Sequence, residues 1–275
     1  MPNATINGFE MYYEDHSPEK EEAFLLIMGF TANATAWRNH FPILSQRFRV
    51  VAFDNRGAGR SGVPDGDAYT MPQMADDAMA LLDHLGIERA HVWGVSMGGM
   101  IAQEVALRHP QRVITLVLGC TTPGGERHVP QAEADQLAFM KLTTMGAEDA
   151  ILAGLPLLYG ERFLAANRER VIDEAKALMD LRAKPQGMAR QMAGIMTHDT
   201  LERLPSIRIP TLVCTGDADR VVNCANSRLL AEAIPGAQIV EYPGAGHGYL
   251  HEALEEDTRR VMEFAAQHSL ASAGA

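Results

Sequence analysis

Short apolar runs alternate with longer amphipathic ones along most of the chain. AFLLIM (23–28) and FRVVAF (48–53) are continuous apolar runs, the pattern of strands buried on both faces. HVWGV (91–95), VITLVLG (113–119), IPTLVCTG (209–216) and AQIVEY (237–242) are read as further strands. Residues 4–15 predict a hairpin, because both positions of the Asn7-Gly8 turn tolerate positive φ. Between these runs the apolar period lengthens to that of a helix. Thr70-Met71-Pro72-Gln73 makes a capping start, and Met71, Met74, Ala75, Ala78, Leu82 and Leu85 share one face as far as Gly86. Further helices are expected from Met97 to Arg108, ahead of Pro235-Gly236, and over residues 250–267.

Strands alternating with helices imply right-handed crossovers and a mostly parallel central sheet with helices on both faces, an α/β fold. Residues 121–204 break the rhythm with helical patterns and no clear strand. The expected organisation is a core made of residues 1–120 and 205–275, with an all-helical cap, or lid, at 121–204 over the C-terminal edge of the sheet. No internal repeat or low-complexity tract is visible.

Composition narrows the function classes. The 275 residues are 47% hydrophobic, enough for a sizeable core in one domain with an insertion. There are 24 basic and 35 acidic residues, a formal net charge of −11 without a Lys/Arg cluster, which repels phosphate backbones and argues against a nucleic-acid partner. The three cysteines, Cys120, Cys214 and Cys224, are widely spaced and show neither metal spacing nor a disulfide framework, so a cytoplasmic setting is expected. MPNATINGFEMYYED lacks the basic start and apolar run of a signal peptide. No apolar stretch approaches the roughly 20 residues that span a bilayer. A homo-oligomer stays open.

The candidate chemistry starts at Gly94-Val95-Ser96-Met97-Gly98. Alone, Gly-x-Ser-x-Gly is a weak signal, and a glycine-softened turn would explain it. Its discriminating context is a strand before and a helix after, and HVWGV and MGGMIAQEVALR supply both. A serine held on such a strained corner stands clear of the sheet, and the helix behind it aims N–H groups at developing negative charge.

On these residues the chain resembles the α/β-hydrolases, of the lid-bearing serine esterase and lactonase type. The resemblance spans nearly the whole length, is strongest over 23–119 and 209–250, and is weak in the lid. It implies a Ser–acid–His order for the catalytic triad. Gly216-Asp217-Ala218-Asp219 with Val221-Val222 matches the acid motif, whose second aspartate, Asp219, is the catalytic one by resemblance. Asp217 is the alternative, and its ordinary role would be turn stabilisation. His247, in the glycine-rich loop YPGAGHGYLHE, is the expected base. His251, four residues on, does not make a metal pair with it, because the glycines around His247 argue for a loop; it reads as a surface or helix-start residue. The oxyanion donors implied are the N–H groups of Met97 and Phe30. Met28 stands where the family usually has a histidine, which replaces a bracing polar side chain with an apolar one.

Gly57-Ala58-Gly59-Arg60-Ser61-Gly62 fits a dinucleotide fingerprint, but VPDGDAY follows instead of a helix, so no nicotinamide or flavin is expected. Neither cofactor nor metal is expected. The expected substrate is a small-molecule ester or lactone with an apolar, small-to-medium acyl group. Six methionines of the lid, Met140, Met145, Met179, Met188, Met192 and Met196, fit an adaptable pocket, although ordinary helix packing is favoured for most of them. The string SMGGMIAQ also resembles carbon–carbon bond hydrolases and cofactor-free perhydrolases of the haloperoxidase type. A non-catalytic ligand-binding protein on the same fold is the third alternative.

Overall fold

The computed structural model describes residues 3–142, 144–181 and 183–269. The chain opens with the hairpin β1 (Asn3–Ile6) and β2 (Phe9–His16), turning on Asn7 at φ 45° and Gly8 at φ 83°. Then come β3 (Ala23–Ile27), a short 3₁₀ turn, α1 (Phe41–Leu44) and β4 (Arg49–Phe53). After α2 (Met71–His84) follow β5 (Ala90–Val95), α3 (Met97–Arg108) and β6 (Val113–Gly119). Four helices intervene: α4 (Glu133–Leu142), α5 (Ala147–Leu158), α6 (Glu161–Ala177) and α7 (Pro185–Met196). β7 (Thr211–Gly216), α8 (Ala225–Ala233), β8 (Gln238–Tyr242), α9 (Tyr249–Glu252) and α10 (Leu254–Gln267) close the chain.

The strands form one eight-stranded sheet in the order β1-β2-β4-β3-β5-β6-β7-β8. β2 pairs antiparallel with β1 and β4, and β3 to β8 run parallel. β3, β5, β6 and β7 are buried at every position, as their unbroken apolar runs require of central parallel strands. One apolar cluster packs α2 and α3 on one face, and a second, with Trp37, Phe48, Trp93 and Phe264, lies on the other.

The expected final helix is broken in two, because Ala253 leaves helical geometry at φ −112°, ψ 29° between α9 and α10. Of the six methionines between β6 and β7, Met179, Met188 and Met192 are half-buried and Met140, Met145 and Met196 exposed, so the packing role favoured for most of them is open to three. Met196 is 78% exposed and Met140 65%. The Gly57–Gly62 stretch forms turns. Asp54 there accepts from the N–H of Ala34 at 2.7 Å and from the N–H of Arg60 at 2.8 Å, so the loop braces the segment after β3.

Candidate active site

Ser96 lies between β5 and α3 at φ 59°, ψ −125°, a conformation costly for a residue with a side chain. Its surroundings hold it there. The Ser96 N–H donates to Gly119 O at 2.8 Å, and Thr121 Oγ1 donates to Ser96 O at 2.7 Å. The corner closes only because its flanks are bare. A Cβ on Gly94 would stand 2.1 Å from Gly98 O, and one on Gly98 would stand 2.1 Å from Ile27 O. The first N–H groups of α3, beginning with Met97, have no intrahelical acceptor.

The loop after β3 passes directly over this corner: a Cβ on Gly29 would meet Ser96 Cβ at 2.8 Å and its Oγ at 3.3 Å. Phe30 follows Gly29, so the segment carrying its N–H borders Ser96, as the N–H of Met97 does from the other side. Asn55 Nδ2 donates to Met28 O at 2.9 Å, and Gln191 of α7 accepts from the Thr31 N–H at 3.1 Å.

Asp219 follows β7 and His247 follows β8, at the same edge of the sheet as Ser96. Ligands of open α/β sheets bind along that edge. His247 Nδ1 and Asp219 Oδ2 are 2.8 Å apart, and the carboxylate is fully buried. Its other oxygen accepts from the N–H groups of Val221 and Val222 at 2.8 and 2.9 Å. Asp217 instead accepts from the Gly244 N–H at 2.6 Å on the exposed side of the loop, so of the two aspartates it is Asp219 that meets the imidazole. Ser96 Oγ makes no hydrogen bond to His247 among the described residues; such contacts are often long before substrate binds.

Cys120 is the neighbour that sequence reasoning passed over. It follows β6 at φ 36°, is fully buried, and its Sγ lies 4.0 Å from His247 Nε2 and 3.4 Å from His247 O. Its place right after a central strand was a usable signal. Burial pushes the Cys120 thiol up, so it is a neutral donor to the His247 carbonyl. Burial also opposes the charged form of His247, but the paired Asp219 carboxylate favours it, and the net shift is well above the usual 6.5. Cys120, Asp219 and His247 bring metal-ligand atoms within 4.8 Å of one another. Both Asp219 oxygens and His247 Nδ1 are hydrogen-bonded, and Cys120 Sγ, a neutral thiol, is engaged with His247 O and Nε2.

Glu252 of α9 accepts from the Gly246 N–H at 2.8 Å and from the Gly160 N–H at 3.1 Å. It ties the His247 loop to the turn between α5 and α6. Burial raises its carboxyl, and the two N–H donors pull the other way. His251 lies in the short helix α9, the helix-start position expected of it, half-buried between His40 and Tyr159 with ring centroids 6.4 and 6.5 Å away.

The family described as the alpha/beta hydrolase fold matches residues 22–254. The chain belongs to the α/β-hydrolases. It is 33% identical over 269 residues to the "Putative carbamate hydrolase RutD" of Caulobacter sp. (strain K31), covering 96% of this chain and 98% of that one. The crystal structure of the enol-lactonase from Burkholderia xenovorans LB400 superposes with a TM-score of 0.85 at 28% identity, covering 96% of this chain and all (100%) of the other. A thermophilic esterase from Thermogutta terrifontis superposes with a TM-score of 0.81 at 29% identity, covering 98% and 99%. These likenesses make the protein an α/β-type hydrolase. None of its described helices is long and apolar enough to cross a membrane.

Proposed function

We propose that the protein is a serine hydrolase that cleaves a carboxylic ester or lactone through an acyl-enzyme. The observation that carries this is the 2.8 Å hydrogen bond between Asp219 and His247 at the sheet edge where the strained Ser96 corner also lies. Ser96 Oγ attacks the carbonyl carbon while His247 Nε2 takes its proton. Asp219 fixes the imidazole tautomer and stabilises its charge. The N–H groups of Phe30 and Met97 hold the oxyanion. Collapse expels the alkoxide, which receives the proton from His247. In a lactone this group stays tethered to the acyl chain. Water, deprotonated by the same imidazole, then releases the acid and restores Ser96. No step requires a cofactor.

In this reading residues 121–204 are the lid, and the apolar Met28 and Met97 beside the corner favour an apolar, small-to-medium acyl group. A carbamate is the second reading, supported by the name of the 33%-identical relative. The acyl-enzyme would then be a carbamoyl-enzyme formed by the same groups.

Fluorophosphonate labelling with mass mapping, with and without Ser96→Ala, tests the nucleophile. Labelling confined to Ser96 is expected. A folded wild-type protein that does not label, or a Ser96→Ala variant that keeps turnover, overturns the mechanism. Nitrophenyl esters, lactones and carbamates of matched chain length then rank the substrate classes. Faster turnover of a vinylogous diketone, or of peroxide-dependent bromination, replaces the ester reading with one of the related chemistries.

A further inference from the structure

We infer that Gln191, on α7, is a positioning residue for the oxyanion loop, linking the helical segment to the N–H of Phe30. This rests on the reading of Phe30 as an oxyanion donor. Gln191 is fully buried, and its amide is used at both ends. Oε1 accepts from the Thr31 N–H at 3.1 Å, and Nε2 donates to Arg56 O at 2.9 Å. Thr31 is the residue after Phe30 and sits at φ 61°, in the left-handed region, where a threonine is strained. A strained residue keeps its conformation only when its surroundings over-determine it. Here a buried acceptor on the Thr31 N–H does so, and it thereby fixes the peptide plane that follows Phe30.

Both anchors of Gln191 are themselves held by close contacts. Arg56 makes a buried two-pronged ion pair with Asp77, at 2.6 and 2.7 Å. α7 rests on the core so closely that a Cβ on Gly194 would stand 1.8 Å from Tyr69 O, and the Tyr69 N–H donates to Arg190 O at 2.9 Å. Met28, at the start of the same loop, has no polar side-chain atom with which to brace it. Among the described residues the Ala32 N–H to Gly29 O bond, at 3.2 Å, closes the turn from within the loop. Asn55 holds Met28 O before the turn and Asp54 holds the Ala34 N–H after it; at Thr31 itself the brace comes from the helical segment. Without it the Thr31 N–H loses its acceptor, the strained turn relaxes, and the Phe30 N–H swings away from the oxyanion.

A positioning role of this kind acts on the transition state and spares substrate binding. The test compares wild type, Gln191→Met and Gln191→Glu on p-nitrophenyl butyrate. Each is also measured for inhibition by butaneboronic acid, a tetrahedral mimic, and by butyrate, a ground-state mimic. Gln191→Met is expected to lower kcat by about 10- to 100-fold, within the cost of an impaired oxyanion donor, with KM within about three-fold. Boronate affinity should fall by the same factor as kcat/KM, and butyrate affinity should hold. Gln191→Glu, kept protonated by full burial against the Arg56 carbonyl, keeps an acceptor for the Thr31 N–H and a donor for Arg56 O, and should recover most of kcat. Should Gln191→Met not fold, Gln191→Glu against wild type carries the test through the boronate-to-butyrate ratio, which should move less than about five-fold. A folded Gln191→Met with wild-type kcat and boronate affinity overturns the inference while the triad reading stands. Equal losses for boronate and butyrate also overturn it, as plain loss of packing. If wild type fails to label with fluorophosphonate, the triad reading falls and the inference with it.

Discussion

The two ends of the helical segment meet the rest of the molecule differently. α7 is locked on: Gln191 and Gly194 are buried, its backbone bonds to Tyr69, and it touches the loop beside Ser96. α4 has no buried residue at all, and Leu137, Met140, Met145 and Leu152 on or beside α4 and α5 are more than a third exposed. α5 and α6 share only a small cluster of their own, Leu155, Leu164 and Val171. The difference shows what makes a segment part of a site. Buried polar bonds and bare backbone contacts fix α7, whereas the apolar residues of α4 stay exposed and its tie to the Asp219 loop is the Asp135–Arg220 ion pair. It follows that disturbance near α7 and the sheet edge should be costly, and disturbance on the exposed apolar face of α4 nearly free.

The largest effect expected on the sheet-edge side is that of Asp219→Asn. The asparagine would leave the loop bonds to Val221 and Val222 largely in place but favour the wrong imidazole tautomer, and kcat should fall by about 10⁴-fold with the fold retained. Stopped-flow acylation of an activated ester, with circular dichroism as the folding check, measures it. A loss under ten-fold would mean that the Asp219–His247 bond is structural, and that the edge is no more sensitive than the helices.

Gly194→Ala probes the locked helix itself. The added methyl would drive α7 off the Tyr69 carbonyl, a strain costing about 1–3 kcal/mol. The melting temperature should fall, and kcat should fall with it, because Gln191 moves with α7. An unchanged melting temperature would put α7 in the same class as α4.

Much of the sheet-edge region was legible in the sequence, and little of the helical segment was. β3, β4, β5, β6 and β7 lie where their unbroken apolar runs predict, because a central parallel strand must be apolar on both faces. Asp219 and His247 could be read because each sits in a turn motif immediately after a strand. Cys120 met the same positional test but belongs to no motif, so its position was a signal without a role until the contact with His247 supplied one. Gln191 left no trace, since a glutamine on an amphipathic helix is ordinary until its amide is seen bridging two loops. The exposed Met140, Met145 and Met196 misled for a related reason. Hydrophobic pattern reports a capacity for burial, and no residue of α4 is fully buried.

The pH profile gives a finer measure of the sheet edge. In the proposed mechanism His247 must be neutral to accept the serine proton, so that reading expects kcat/KM to rise with pH. The Asp219 carboxylate favours the imidazolium against the desolvation that opposes it, so the midpoint should lie above the usual 6.5. Removing that carboxylate in Asp219→Asn should bring the midpoint of the residual activity down. A midpoint that stays in place would take Asp219 out of the electrostatics of the base.

The smallest effect belongs to α4. Met140→Ser replaces a side chain that is 65% exposed and contributes little burial, so stability should change by no more than about 0.5 kcal/mol. kcat/KM for p-nitrophenyl butyrate should stay within about two-fold, since the α4 residue that bonds the Asp219 loop is Asp135, which accepts from Arg220 Nε at 3.0 Å. Chemical denaturation and steady-state kinetics on the same preparation read both. A loss of several-fold confined to KM, growing with acyl-chain length across a series of nitrophenyl esters, would break the comparison in an informative way. It would mean that the exposed methionine face closes over the acyl chain once substrate is bound, and that the loosely attached end of the segment selects the substrate while the locked end serves the chemistry.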